Sequence, residues 1–541
     1  MNVRRLAAWI ALPAAVALGV SACGGGSDTG GGSTNGGTVS VNLGEPEHLV
    51  PSNTVESEGH QVVVSLWTSL VNFDGEGKPV FDQAAAESIT SSDNRTWTVK
   101  LRDGMTFHNG EKVTADTYIN TWNYAAYGPN AQIGTDFFSR IEGYDDLQTG
   151  DSPNATPKAK TMSGLKKVSD TEFTVTLSEP FAEWVKVMGY NVFAPLPAAA
   201  YAADGTLKPD FENAPIGNGP FKMKGTWNHN QNITVERYQD YSLTKPKVQE
   251  INYKIYQSQE TAYNDLLAGN LDVQRVIPTS RLASAKNDLG DRFRSTPSSY
   301  FGYITVPSYI PAYNKPQIRQ AISKAIDRNE IITKIFAGGY VEAKSWVSPV
   351  VEGARDDTCG DACVFDPTKA KELWTQAGGV PGNKLPLYYN SDGGHKEWVD
   401  AVCNQLNKNL GVQCVPSPVA QFADLRQQAR AHTLQGLLRG AWSFDYPSIE
   451  NYLTPLYATG AASNDSQYSN PTFNQTVQQG DAAPNTAEAI QKYQAAEDIL
   501  AKDMPTIPMW YRQNNFGFSP NMKTVDLNLF ADLDVLTLER N

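Results

Sequence analysis

Histidine is scarce in this chain: His48, His60, His108, His229, His395 and His432 are the only six in 541 residues, and none lies near another. Without an HExxH, His-x-His or Cys-His cluster, no metal centre is expected. A Walker A loop, a GxGxxG turn and a G-x-S-x-G elbow are also absent, which removes the common routes to nucleotide binding and acyl transfer. Acidic residues number 58, so many that a glycosidase-like pair carries no information here. Basic clusters are missing and the formal net charge is −13, which argues against nucleic acid as a partner. After the N-terminus, no stretch is long and apolar enough to span a membrane. These absences favour binding over catalysis, with no cofactor.

What is present begins at the N-terminus. Arg4 and Arg5 precede an apolar run, Leu6 to Val20, of signal-peptide length. The run ends in Val20-Ser21-Ala22-Cys23, which resembles the bacterial lipobox, whose cysteine is lipidated and becomes the mature N-terminus. Residues 1–22 read as a lipoprotein signal peptide. Residues 23–37, nearly all Gly, Ser and Thr with one charge at Asp28, read as a flexible tether. The expectation is an extracytoplasmic protein held to the outer face of the cell membrane by a lipid on Cys23. Cys359, Cys363, Cys403 and Cys414 remain. An even count in an exported chain suggests two disulfides, with the local pairs Cys359–Cys363 and Cys403–Cys414 expected. A four-thiolate zinc site is the rival, but neither spacing resembles a zinc knuckle.

The mature chain mixes alternating strands with amphipathic helices. Asn94 to Arg102 places Trp97, Val99 and Leu101 on one face of a half-buried strand. Asp103-Gly104 turns the chain, and Thr114 is a suitable N-cap for the helix that follows. Phe173/Val175/Leu177, Ile233/Val235 and Tyr253/Ile255 mark further strands, and Thr261 to Ala268 a short helix. From Pro316 the spacing of Ile318, Ala321, Ile322, Ala325 and Ile326 predicts a helix ended by Gly338-Gly339. Thr149 to Lys160, rich in Pro, Asn, Asp and Lys, reads as a surface insertion. Strands alternating with helices indicate α/β lobes.

The unit TWTVKLRDGMTFHNGEKVTADTYINTWNY (Thr96 to Tyr124) resembles the signature of the family 5 solute-binding proteins of ABC importers. Further matches follow in the family's order: DTEFTVTLSEPF from Asp170, IGNGPFKM from Ile216 and IRQAISKAIDRNEIITKIFAGG from Ile318. RGAWSFDYPSIENYL (Arg439 to Leu453) and IPMWY (Ile507 to Tyr511) complete the series. The resemblance implies an α/β, two-lobed clamp of the periplasmic-binding-protein type (type II), with an extra small domain on the first lobe. It places lobe I at 38–71, 206–296 and 516–541, the extra domain at 72–205 and lobe II at 297–515.

Within the family the likeness is nearest to oligopeptide binders. It implies that Asp445, in Trp442-Ser443-Phe444-Asp445, pairs with a peptide's α-ammonium, and that Trp442 is an apolar wall. Arg439, Arg430 and His395 fall at positions implied to meet the C-terminal carboxylate of peptides of different length. Read alone, Asp445 would be a turn residue and the others surface charges. The implied partners are an oligopeptide and the permease subunits of an ABC importer, with the protein itself a monomer. Import of another solute on the same fold, such as an oligosaccharide or a metal chelate, is the alternative. A peptide-signal receptor or an envelope hydrolase are further readings.

Overall fold

The computed structural model describes residues 36–150 and 156–541. The signal peptide, Cys23, most of the tether and part of the Thr149–Lys160 insertion lie outside the described residues. An eleven-stranded mixed sheet runs through the described chain. Its first strand, β1 (Thr38–Leu43), pairs in parallel with Glu250–Ile255 and buries Val39, Val41 and Leu43. Helix α1 (Ser57–Leu66) packs beside it. The Glu56 carboxylate starts α1 by accepting from the backbone N–H groups of Glu58 and Gly59 at 2.6 and 2.7 Å.

Two long strands continue the sheet, β2 (Phe293–Thr305) and β5 (Thr506–Phe518), paired antiparallel along most of their length. Between them in sequence come β3 (Lys384–Asn390) and β4 (Leu437–Trp442). At one end β5 pairs with Val273–Gln274, the neighbour of β1; at the other β2 pairs with β4. The pairing of β2 with β5 is irregular between Pro297 and Phe301. The two long strands therefore pass from one hydrophobic core to the next. One core contains Val39, Val62, Tyr253 and Phe518, and the other Ile322, Trp346, Leu406 and Ile507. A third core, built from residues between 70 and 193 with Tyr446 added, lies around a separate four-stranded antiparallel sheet. In that sheet Trp97, Val99 and Leu101 of Thr96–Leu101 point inward, as their alternation predicts, and Thr114 caps the helix Ala115–Ala126. The fold is a two-lobed α/β clamp with a small domain attached.

The helix predicted from Pro316 divides into α2 (Pro316–Lys324) and α3 (Arg328–Lys334). Asp327 causes the break: its carboxylate accepts from Glu330 N–H at 2.9 Å and caps a new helix. Arg328 then turns fully inward and donates to the carbonyls of Ser323, Cys363 and Pro508 at 3.2, 3.1 and 2.8 Å. Cys359 is bonded to Cys363 across the 3-10 turn Gly360–Cys363, and Cys403 to Cys414 between the helix Lys396–Leu410 and the strand Gln413–Val419.

Candidate functional site

Where β2 and β5 cross between the lobes, a cavity of about 580 Å³ opens. The start of α1, residues 275–279 and Leu282 line it, together with Ser443 to Asp445 and part of β5. Val55 and Val276 are exposed here and give the cavity apolar walls. A second cavity of about 580 Å³ shares Thr279 and Tyr340 with the first and reaches His395, Trp398 and Arg439. A third, of about 140 Å³, shares Arg439 and Gly440 with the second and is lined by Trp442, Arg426 and Asp465.

Asp445 follows the end of β4 and is half-buried. Its position is set by Asn451, whose side-chain oxygen accepts from Asp445 N–H at 2.9 Å and from the Trp442 indole N–H at 3.3 Å. The Asn451 amide also donates to the Asp445 carboxylate at 3.4 Å. Burial pushes the Asp445 carboxyl up to about 6; the Asn451 hydrogen bond opposes this and the nearby Glu450 charge reinforces it. No cation lies within ion-pair distance of Asp445 among the described residues. Tyr190, from the small domain, lines the same cavity, and Asp445 is among the charges that raise its hydroxyl above the usual range, after burial itself.

Arg439, on β4, is half-buried and donates twice to Asn390 Oδ1, at 2.8 Å from Nε and 2.5 Å from Nη2. Its guanidinium lies 5.0 Å from the centre of the Phe422 ring. His395 accepts from the Trp398 indole at 3.1 Å, and burial followed by the Arg439 charge pushes it down to about 4. His395 is thus neutral near pH 7 and offers a hydrogen bond rather than a charge. Arg430 is exposed and lines none of these cavities; Arg426, one helical turn earlier, does, and is paired with Asp465. Asp445, Arg439, His395 and Trp442 line a connected series of cavities, and Arg430 stands outside it.

Strand β4 also leaves backbone groups free. β3 pairs with it only at Leu387↔Leu437 and Tyr388↔Leu438. On that side Arg439 to Trp442 have no strand partner among the described residues, although β2 pairs their other side. A free strand edge running from an unpaired guanidinium toward an unpaired carboxylate suits an extended ligand with charged ends. Asn451 escaped sequence reading although it stands in the RGAWSFDYPSIENYL segment, because its role depends on the chain doubling back to Asp445. The pair Glu58–Arg275, at 3.1 Å in the cavity wall, gave no local signal either.

Residues 81–464 match the family described as bacterial extracellular solute-binding proteins, family 5 Middle. The chain belongs to that family. Its members bind solutes and are not enzymes. Among curated relatives, the periplasmic oligopeptide-binding protein OppA of Salmonella typhimurium is 26% identical over 492 residues, covering 87% of this chain and 86% of its own. Among solved structures, the murein tripeptide binding protein MppA in its unliganded open form superposes with a TM-score of 0.78 at 22% identity, covering 94% of this chain and 97% of that one. Haemophilus influenzae OppA in complex with the peptide RPPGFSPFR gives 0.73 at 21% identity, with 93% and 98% covered. These structural likenesses establish the family 5 fold.

Proposed function

We propose that this protein captures oligopeptides outside the cell membrane, to which a lipid on Cys23 holds it, and passes them to the permease of an ABC importer. The observation that carries the reading is Asp445: a carboxylate oriented by Asn451, facing a cavity between lobes, with no cation beside it among the described residues. Leaving a charge in such a place is unfavourable, and a ligand ammonium reverses the cost by forming a charge-assisted hydrogen bond. The free edge of β4 supplies N–H and C=O groups that hydrogen-bond a peptide main chain whatever its sequence. Apolar walls at Val55 and Val276, in a cavity with room for water, accept varied side chains. Closure of the lobes about β2 and β5 then encloses the ligand and creates the surface that the permease reads.

Mass spectrometry of the protein extracted from its own membranes tests both halves of the proposal. The expected result is an N-terminus at Cys23 carrying acyl chains, and peptides released when the protein unfolds. An unmodified N-terminus would remove the anchor; a glycan or metal chelate in place of peptides would overturn the choice of solute.

A further inference from the structure

Asp445 sits in a segment gripped by residues that line none of the three cavities. Tyr446, the next residue, buries its ring in the core of the small domain. Its hydroxyl donates to Glu450 Oε2. Glu450 opens the helix Glu450–Tyr457, and its N–H donates to Ser448 Oγ at 3.1 Å. Asn451 follows, and its amide holds the Asp445 carboxylate and accepts from the Asp445 N–H. The segment therefore closes on itself, from Asp445 through Tyr446, Glu450 and Asn451 back to Asp445.

The Glu450 side chain is 1% exposed, and a carboxylate so buried needs a cation. Arg140 of the small domain supplies it, with Nη2 standing 3.4 Å from Glu450 Oε1. The same nitrogen stands 3.7 Å from Asp481 Oδ2. Neither acid has another ionic partner among the described residues. Tyr493 donates to Asp481 Oδ1 at 2.9 Å. Glu183, whose charge also reaches Asp481, pairs with Lys186 at 2.8 Å, and Lys186 with Glu352 at 3.3 Å. The Phe181 ring, its centre 3.8 Å from the Arg140 guanidinium, fixes that group in place. One guanidinium thus serves two acids. Burial and then the Glu450 charge push the Asp481 carboxyl up, and Arg140 opposes them.

Removing Arg140 leaves two buried acids facing each other with no cation between them, which drives Glu450 from its place. Tyr446 and Asn451, tied to Glu450 by a hydrogen bond and by the chain, shift with it. The Glu450 charge, no longer balanced, also acts on Asp445, whose carboxyl it already helps burial to raise. Both effects weaken an ammonium contact. Resting on the proposal that Asp445 takes a peptide ammonium, we infer that Arg140 is a positioning residue for that contact, acting through Glu450. The small domain thereby sets the orientation of a group in a cavity that Arg140 itself does not line.

Calorimetric titration with Ala-Phe-Ala and its N-acetyl form tests this on wild type, R140Q, E450A and the R140Q/E450A double variant. Acetylation is expected to weaken binding to wild type roughly tenfold or more. In R140Q and in E450A that ratio falls to about threefold or less. Adding R140Q to E450A changes it by less than about twofold, since residues acting along one route are not additive. Loss of packing between the domains weakens both peptides alike and leaves the ratio at its wild-type value. An unchanged ratio in R140Q therefore overturns the inference, as does a further fall on adding R140Q to E450A. Should R140Q not fold, E450A decides, because it leaves Arg140 paired with Asp481; an unchanged ratio there overturns the inference as well. A wild-type ratio near one overturns the Asp445 reading together with this one, whereas a wild-type ratio kept in R140Q overturns this one alone.

Discussion

Asp445 and Arg439 carry opposite charges on one short stretch of chain, yet neither is neutralised by an ionic partner among the described residues. Each is instead held by a neutral amide, Asn451 for the acid and Asn390 for the base. Amides orient a charge without cancelling it, which keeps it available to a ligand. Burial holds the Asp445 carboxyl near 6, so it is mostly protonated at pH 5 and mostly ionised at pH 7. Affinity for a free-amine peptide is therefore expected to rise about tenfold over that interval, with proton release on binding below neutrality. The stability of the empty protein has the opposite sign. The folded carboxyl keeps its proton to higher pH than the unfolded one, so this contribution is fully present below the ordinary carboxylate range and lost as pH rises through about 6. Titration across this range reads the effect directly, and a wild-type profile as flat as that of D445N would contradict it. Asp445, Arg439, His395 and Trp442 came to notice only through resemblance to a family, because isolated charges have no local signature.

At the scale of elements, alternation and capping were readable because they are local. Thr96–Leu101 and its helix capped at Thr114 follow from the period of two and a threonine at the N-cap position. The break between α2 and α3 was missed because the apolar spacing continues across it. Only Asp327 marks the new N-terminus, and the carbonyls that draw Arg328 inward come from distant strands and loops. The close pairing of β2 with β4 is equally non-local. A Cβ at Gly440 would stand 2.1 Å from Cε2 of the buried Tyr303 ring, so the two strands meet at full depth only with glycine there. G440A is expected to cost about 1–3 kcal/mol, the usual cost of overpacking, and to lower the melting temperature. Thermal unfolding followed by circular dichroism checks this; an unchanged midpoint would mean that the ring moves aside freely.

Across the whole molecule, the clamp was legible as a resemblance, but the contacts that tie its parts together were not. The small domain reaches the second lobe through Ala182 N–H, which donates to Asp481 O at 2.9 Å, and through Arg140 facing Glu450 at 3.4 Å. Lys186, buried beside Glu183, adds Glu352 at 3.3 Å. Glu450 lies one residue before the Asn451 that orients Asp445, so the small domain braces the segment carrying Asp445. Peptide capture then combines three features: an unpaired acid, a free strand edge, and two lobes joined through β2 and β5. The most direct measurement of that claim is the affinity of one tripeptide with and without an N-acetyl group, by calorimetry near pH 7. Loss of the ammonium contact is expected to weaken binding by roughly tenfold or more, as one buried charge-assisted hydrogen bond requires. Equal affinity for the two peptides would contradict the account, because Asp445 would then have no ammonium to receive.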